Sequence, residues 1–535
     1  MFGRKKRTRN IIKMNFGKDP REGSIFYDAS ERMRNVSRYH VLAKKNSLVV
    51  DDITWDDLEM DQVFLRINHT NSFIGEQVLY HQLHNLNQEE DEDHEDFEQK
   101  LNCLSQNLER RVELEARLRE IGKNEDSYYL WEFLHHAKLW VVGHSFFYHV
   151  MQALLVFFLI SSILTDENWM TLGLFAVAGC NFMLYFRAKN QYEIHLDSLG
   201  VLRQIYDLSR WIKKDQVLGP VFVREEEMQA IDSLKGMSRL ITNISIRKES
   251  SLSGDVAAMF MDYFWGITLI DVSMVNHLMK VIEHKQEEVQ CLMNLVGEID
   301  SKIGVLSFRT SLDSWCIPEY VQEGIAVEGL VHPLLDSPIK NDWCLRDKAI
   351  ITGSNASGKS TFMKAIGINC IMAQTIHTST ATKMSLESVF IMTCMSLRDD
   401  IISGESYYFR EAKYLKRMLD QVGQKEDERK TLCIIDEILK GTNTKERISA
   451  SKAILEFIGS KNCLAIVATH DNELTHNEAY ENYHFRSMIK NNDIKFDYQI
   501  QEGSSQETNA IALLSILGYS KDIIEAAKEN LNENW

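Results

Sequence analysis

The chain has 535 residues, of which 44% are apolar, and a formal net charge of −17. This length and composition are those of a globular protein with two or more domains that have sizeable cores. The nine cysteines contain no Cys-x-x-Cys pair, which argues against a disulfide framework or a zinc site and indicates a reducing compartment. Since DNA affinity depends largely on Lys and Arg, any DNA-binding surface on so acidic a chain must be local.

The N-terminal segment, residues 1–45, contains the strongest basic cluster, GRKKRTR at Gly3–Arg9. Basic tails are often merely solvated, but this one could also contact nucleic acid or an anionic membrane surface. The sequence leaves these alternatives open.

Helical patterns follow on both sides of a very apolar segment. The first covers Asp51–Leu86 and continues, after the acidic run Glu89–Glu98, into the helical stretch LNCLSQNLERRVELEARLREI. The acidic run is most simply a solvated loop or the start of a helix. The second pattern, Gln191–Ser307, is long, polar and helical.

The apolar segment between these patterns, residues 139–187, predicts a transmembrane helical hairpin with both ends in the cytoplasm. Its two uncharged runs, Leu139–Thr165 and Asn168–Phe186, each approach the roughly 20 residues that cross a bilayer. Lys138, Arg187 and Lys189 lie on one side. The aromatic residues near the expected interfaces are Trp140, Tyr148, Trp169 and Tyr185. The alternative is a pair of core helices buried in the protein.

A glycine-rich stretch, ITGSNASGKSTFMKAIG at Ile351–Gly367, lies between a predicted buried strand and a predicted helix. Its glycines allow backbone N–H groups to point at phosphate oxygens, and the helix N-terminus adds partial positive charge. Lys359 would reach the β- and γ-phosphates, and Ser360 would bind Mg²⁺. The predicted nucleotide-binding residues are Gly353, Ser354, Asn355, Ala356, Ser357, Gly358, Lys359, Ser360 and Thr361. The alternative is an ordinary glycine turn.

Two later strands end in polar residues. In TLCIIDEILKGTNT, Asp436 would hold Mg²⁺ through water and Glu437 would polarise the attacking water; alone, such an acid pair is more often a solvated strand end. The strand CLAIVATHDNEL ends in Thr469, His470 and Asp471, where the histidine is either structural or bonded to the γ-phosphate or the water. Together the three strands predict an α/β ATPase sheet.

Five motifs in order resemble the ATPase domain of the MutS family, the DNA mismatch repair ATPases. They are HPLL at His332, ITGSNASGKST, DDIISGESYYFREAKYL at Asp399–Leu415, DEILKGTNT and ATHDNEL. The resemblance implies that Asn355 faces the phosphates and that His470 senses the γ-phosphate. It also implies that Ser406 is offered in trans to the nucleotide of a partner subunit, so that the protein is a homodimer that uses ATP and Mg²⁺.

The resemblance further implies an ABC-type P-loop ATPase domain over residues 321–535. An all-α core and lever domain would precede it in two parts, 46–138 and 188–320, separated by the hairpin at 139–187. Some positions depart from the family pattern. Ser354 replaces a proline, Ala356 and Ser357 replace Met-Gly, and Leu439-Lys440 replaces Gly-Arg. The last change puts in doubt how the subunits signal to each other.

Family members that read mismatches carry an N-terminal domain with a Phe-x-Glu motif. The first residues of this chain contain none, so we expect no mismatch-reading domain. Two functions are compatible with the sequence: a dimeric clamp that holds DNA by shape and backbone, or a membrane-anchored ATP switch on the cytoplasmic face of the cell membrane that acts on another partner. An inactive scaffold is disfavoured because Lys359, Ser360, Asp436, Glu437 and His470 are all present.

Overall fold

The fold is taken from a computed structural model. The residues that it describes are 2–21, 29–43, 49–86, 91–136, 143, 145–165, 167–192, 196–252, 263–354, 357–395, 407–423, 429–440, 442–490, 493–504, 511, 514 and 518–533.

Helices make up the described chain as far as residue 310. Local sequence signals start some of them: the Asp51 carboxylate accepts the Thr54 N–H at 2.9 Å, and the Ser72 hydroxyl accepts the Gly75 N–H at 3.1 Å. The helices are Phe2–Asn15 (α1), Ala29–Ala43 (α2), Asp52–Asp57 (α3), Met60–Ile67 (α4), Phe73–His84 (α5), Asp91–Gln106 (α6), Leu108–Ile121 (α7), Leu130–His135 (α8), Ser145–Leu164 (α9), Asn168–Tyr192 (α10), Leu196–Lys214 (α11), Gly219–Phe222 (α12), Glu225–Ser233 (α13), Lys235–Leu252 (α14), Ile270–His284 (α15) and Gln286–Thr310 (α16).

Helices α5 and α16 pack closely at the centre of the helical region. Gly297 on α16 allows this approach, since a Cβ atom there would lie 2.4 Å from the Val78 side chain. The buried Asp300 carboxylate accepts the backbone N–H groups of Asn71 and Ser72 just before α5. These bonds offset the cost of burying the carboxylate and fix the loop between α4 and α5.

The two apolar helices predicted in the middle of the chain are present as α9 and α10. Both are long and apolar enough to cross a membrane, and only 6% and 11% of their most apolar stretches are buried. Asn181 and Gln152 donate to the carbonyl groups of Ile267 and Thr268, at 2.8 and 3.1 Å. Most of the apolar surface of the hairpin is therefore left uncovered by the described part of the chain. Residues 137–142, where the predicted hairpin begins, and Asp166 lie outside the described residues.

The C-terminal part is a mixed α/β structure, as the sequence predicts. Its main sheet has the strand order β10-β9-β4-β8-β7-β6, in which β10 is antiparallel and the other neighbours are parallel. A smaller sheet has the order β1-β5-β2-β3. The strands are Glu319–Tyr320 (β1), Ile325–Leu330 (β2), Asn341–Leu345 (β3), Lys348–Thr352 (β4), Lys383–Leu386 (β5), Val389–Cys394 (β6), Lys430–Asp436 (β7), Leu464–Ala468 (β8), Glu481–Lys490 (β9) and Asp493–Glu502 (β10).

The main sheet is buried between helices. Strands β4 and β8 are buried at every residue, which is typical of parallel strands covered on both faces. The helices of this part are Lys359–Ile376 (α17), Tyr407–Gly423 (α18), Thr444–Gly459 (α19) and Lys521–Glu533 (α20). The chain passes from the C-terminal end of β4 through the glycine-rich loop into α17. Polar residues after β4, β7 and β8 therefore meet at one edge of the sheet.

Candidate nucleotide-binding site

The glycine-rich loop requires glycine at two positions. Gly353 has a φ of +135°, and a Cβ atom there would lie 2.8 Å from the Phe485 carbonyl oxygen. Gly358 has a φ of +101°, and its added Cβ would lie 3.0 Å from the ring of Tyr498. Other side chains are strained at such angles, so the loop geometry depends on both glycines. Asn355 and Ala356 lie outside the described residues.

Lys359 starts α17 and lies buried behind the loop. Its ammonium group donates to the carbonyl oxygens of Gly353 and Ser354, the latter at 3.0 Å. Burial lowers the pKa of Lys359 to about 8, although the nearby carboxylates of Asp436 and Glu437 oppose this shift. The ammonium therefore lies within the loop, where its charge is only partly compensated.

Two serines shape the same loop. The Ser357 hydroxyl donates to the Ser354 carbonyl oxygen at 2.7 Å, which closes a tight turn. The Ser354 hydroxyl is itself buried and has no hydrogen-bond partner among the described residues. Burying an unpaired hydroxyl is costly, so this group fits a loop that wraps a polar ligand.

Ser360 connects the loop to the end of strand β7, two strands away in the sheet. Its hydroxyl donates to the Asp436 carboxylate at 2.6 Å, which joins the first turn of α17 to the C-terminal end of β7. Thr361 is exposed one residue later. The two residues predicted to hold Mg²⁺ from different motifs are thus in direct contact.

Glu437 and His470 form a second pair beside the loop. The Glu437 Oε1 atom lies 2.7 Å from the His470 Nε2 atom, and the Glu437 backbone N–H donates to the Ala468 carbonyl on β8. Burial alone would raise the pKa of Glu437. The hydrogen bond to His470 and the charges of Lys440 and Lys359 outweigh this effect of burial, so the pKa of Glu437 lies below its usual value. Glu437 is therefore an ionised carboxylate at neutral pH.

The segment after Glu437 has an unusual backbone. Glu437 and Leu439 have φ angles of +65° and +58°, in the left-handed region that residues other than glycine seldom occupy. Lys440 places its ammonium 3.9 Å from the Glu437 carboxylate. Where the MutS pattern has Gly-Arg, this chain thus buries Leu439 and keeps a cation beside the acid. Gly441 lies outside the described residues.

A cavity of about 310 Å³ adjoins the loop on the side of Gly358 and Thr361. His332 of the HPLL motif lines this cavity. Phe362, Phe485 and Tyr498 also line it, and the sequence did not predict these three as site residues. Burial lowers the pKa of His332 to about 4, so the ring is neutral. A cavity with mainly apolar and aromatic walls beside the glycine-rich loop suits a planar ring.

Two aromatic residues of the cavity wall lie on strands in which the sequence predicted no site residues. Phe485 lies on β9, and Tyr498 lies on β10 within a bulge and has a φ of +53°. No motif in the sequence marks these residues; the positive φ of Tyr498 is visible only in the structure. Ser406, predicted to act in trans, lies outside the described residues.

These features define an α/β domain in which a glycine-rich loop joins the buried strand β4 to a helix that begins with lysine, and acids lie at the end of β7, two strands away in the same sheet. The family model of MutS domain V matches residues 349–534, which contain the loop, both acids and His470. This C-terminal part of the chain belongs to the MutS domain V family.

Individual relatives match over a larger part of the chain. DNA mismatch repair protein MutS 2 of Haloarcula marismortui is 25% identical over 341 residues, 57% of this chain and 34% of the relative. MutS protein homolog 4 of Homo sapiens is 30% identical over 47% of this chain and 28% of the relative. DNA mismatch repair protein MutS of Thermotoga petrophila is 27% identical over 48% of this chain and 33% of the relative. The matches thus span about a third of the length of these relatives.

Proposed function

We propose that this protein is an ATPase of the P-loop type that binds and hydrolyses ATP at the edge of its main sheet. The observation that carries this proposal is the convergence of three strand ends on one point. Ser360 contacts Asp436 at 2.6 Å, and Glu437 contacts His470 at 2.7 Å beside the same loop. Three motifs far apart in sequence thereby supply a phosphate cradle, a metal-binding pair and a base.

The loop residues have the chemistry that a triphosphate needs. The Lys359 ammonium donates to the loop carbonyls and would move from them to the β- and γ-phosphates. The Ser354 hydroxyl, which has no partner among the described residues, would donate to a phosphate oxygen. Ser360 and Asp436 are the oxygen donors that would hold Mg²⁺. When bound, Mg²⁺ neutralises phosphate charge. The aromatic cavity beside Gly358 would take the base.

Hydrolysis would depend on the Glu437 pair. An ionised carboxylate can orient a water molecule and draw a proton from it, and the lowered pKa of Glu437 keeps it ionised. His470, which contacts this carboxylate, would bond the γ-phosphate or the water. Lys440 would contribute a further cation on the same side.

The finer proposal is a homodimeric clamp that acts on DNA. The MutS resemblance supports it, as do the names of the relatives, which include DNA mismatch repair proteins. In that arrangement Ser406 of one subunit would complete the nucleotide site of the other. With a net charge of −17, binding to DNA would use a local basic surface and contacts to the phosphate backbone rather than base edges.

A second candidate is a membrane-anchored ATP switch that acts on a partner other than DNA. The uncovered apolar surface of α9 and α10 favours it, because these helices are 20 and 25 residues long. In this proposal the hairpin anchors the protein and the ATPase domain lies on the cytoplasmic face of the cell membrane. Nucleotide-driven movement would then be passed to the partner.

One set of measurements tests both candidates. ATP hydrolysis is measured for the wild type and for Lys359→Ala with no DNA and with duplex, mismatched or branched DNA across a salt series. A DNA-acting clamp requires a rate that responds to DNA and a response that weakens with salt. If no DNA changes the rate of ATP hydrolysis, the clamp is excluded and the membrane-anchored switch remains. If Lys359→Ala leaves the rate unchanged, the proposed ATPase site is wrong.

A further inference from the structure

A polar cleft in the helical region lies far along the chain from the nucleotide site. It has a volume of 290 Å³ and lies between the N-terminal segment around Lys18 and helices α7 and α16. Its polar lining includes His69, Asn71, Glu115 and Arg119. The proposed ATPase activity assigns nothing to these groups.

The hydrogen bonds of His69 determine which ring nitrogen carries the proton. The buried Ser307 hydroxyl accepts the Gly17 N–H at 2.9 Å and lies 2.9 Å from His69 Nδ1. Among the described residues the hydroxyl proton has Nδ1 as its acceptor, and donating to Nδ1 satisfies both groups. Burial lowers the pKa of His69 to about 4, which keeps the ring neutral with its proton on Nε2. That Nε2–H is buried and has no partner among the described residues.

Glu115 contributes an open acceptor to the same cleft. The residue is only 4% exposed, and its Oε1 atom accepts no hydrogen bond among the described residues, although Arg111 Nε lies 3.4 Å away. Burial raises the pKa of Glu115 to about 7, against the opposing charges of Arg111 and Arg119. At pH 8 the group is mainly a carboxylate, which can accept but not donate.

The remaining charges in the cleft are mostly positive. Arg119 is held by its Nε–H, which donates to the Asn71 side-chain oxygen at 2.8 Å, and Lys18 lies exposed at the mouth. The Asp19 carboxylate is already paired with Arg21 and Arg66, at 2.7 and 3.1 Å. An anion would therefore find cations and a buried N–H donor in the cleft.

We propose that this cleft binds a small oxyanion that keeps a proton, of which inorganic phosphate is the simplest example. His69 Nε2–H and Arg119 donate to its oxygens, and Glu115 accepts the hydrogen bond from its P–OH group. Inorganic phosphate retains a proton at pH 8, whereas sulfate does not. As the acceptor for that P–OH group, Glu115 makes the cleft selective for phosphate over sulfate, because sulfate would face the carboxylate with no proton between them.

The test is calorimetric titration of the full chain at pH 8 with phosphate and with sulfate at equal ionic strength. The chain carries Lys359→Ala, so that the glycine-rich loop does not contribute anion binding. We expect phosphate to bind at least tenfold more tightly than sulfate. Glu115→Gln should abolish this preference, because an amide can donate to either anion, and His69→Phe should weaken phosphate binding at least tenfold.

Glu113→Gln is the matched control, since Glu113 lies on the same helix, pairs with Arg9 and Arg117, and does not line the cleft. It should keep the preference for phosphate. If Glu115→Gln does not fold, Arg119→Met replaces it and should lose phosphate binding. Equal weak responses to phosphate and sulfate in the parent chain would mean that the cleft holds only water, and an unchanged preference in Glu115→Gln would also overturn the proposal.

Discussion

Replacing Glu437 by glutamine should separate ATP binding from ATP hydrolysis. The Glu437 carboxylate lies 2.7 Å from His470 Nε2 and 3.9 Å from Lys440 Nζ, while the phosphate loop is built by other residues. Glutamine has nearly the same shape and can still contact His470, but it is neutral and cannot draw a proton from water. The substitution therefore removes the base and leaves the cradle in place.

The expected loss follows from the role of the carboxylate. A positioned general base contributes about 10²- to 10⁴-fold, so kcat should fall by that factor, which corresponds to about 3–5 kcal/mol in the barrier. The affinity for ATP should change by less than about threefold, or ~0.6 kcal/mol, because Lys359 and Ser360 are unaltered. The lowered pKa of Glu437 also predicts how kcat depends on pH. Because the carboxylate stays ionised down to the usual pKa of a glutamate, the wild type should keep this base until the pH is below about 4.5.

The assay is single-turnover hydrolysis at saturating ATP, with binding measured separately by a fluorescent ATP analogue. Glu456→Gln is the control, because this exposed glutamate lies on α19 in the same domain and away from the loop. It should hydrolyse ATP at the wild-type rate. A Glu437→Gln protein that retains more than a tenth of wild-type kcat would refute the assignment of Glu437 as the base.

Four further outcomes are expected. The protein should resist extraction from membranes by alkaline carbonate, and deletion of residues 139–186 should release it; full extraction of the intact chain would exclude a spanning hairpin. Matched and mismatched duplexes should bind within tenfold of each other at physiological salt, and a larger mismatch preference would contradict backbone-only contacts. Mixed Ser406→Ala and Lys359→Ala subunits should regain ATPase activity in hybrid dimers, whereas a parent-like rate after proven exchange would rule out action in trans. Asp57→Ala should lower the free energy of unfolding by about 3–5 kcal/mol in urea titrations, because the buried Asp57 carboxylate accepts hydrogen bonds from the Thr393 hydroxyl and the Met395 N–H, and both are lost; a loss below about 1 kcal/mol would contradict this.

The chemical centre of the site could be predicted from sequence because each of its residues directly follows a buried strand. Parallel strands share one C-terminal edge, so Asp436 and His470 had to lie near the loop that follows β4. In the structure Ser360 contacts Asp436 and Glu437 contacts His470. Helical and mixed α/β regions were likewise predictable from periodicity and strand-like runs.

The walls of the site were not predictable in the same way. Tyr498 lies about 140 residues after Gly358, and their contact depends on the pairing of β10 with β9 and of β9 with β4. No local pattern specifies such pairing or the bulge that turns the Tyr498 ring towards the loop. The polar cleft near His69 was missed for a related reason, since its lining combines α7, α16 and the N-terminal segment.

The helix that begins in the phosphate loop is held at its other end by the helical region. Helix α17 has 18 residues and is about 27 Å long, with Lys359 at its start. At its end, Arg309 on α16 donates to the Thr378 hydroxyl and the His377 carbonyl, each at 2.9 Å, and Gln82 on α5 donates to the Thr375 carbonyl at 2.9 Å.

These bonds make α17 a rigid connection between the loop and the helical region. Leaving a buried polar group unpaired costs about 1–3 kcal/mol, so a displacement of α17 is cheaper if α5 and α16 move with it than if the bonds break. A second connection lies at β6, where the Asp57 carboxylate accepts the Thr393 hydroxyl at 2.7 Å and the Met395 N–H at 2.9 Å. Because Asp57 is the last residue of α3, these bonds tie β6 to that helix. A ligand that shifts the loop would therefore displace the helical region through α17, and the contacts of Asp57 would carry that displacement to β6.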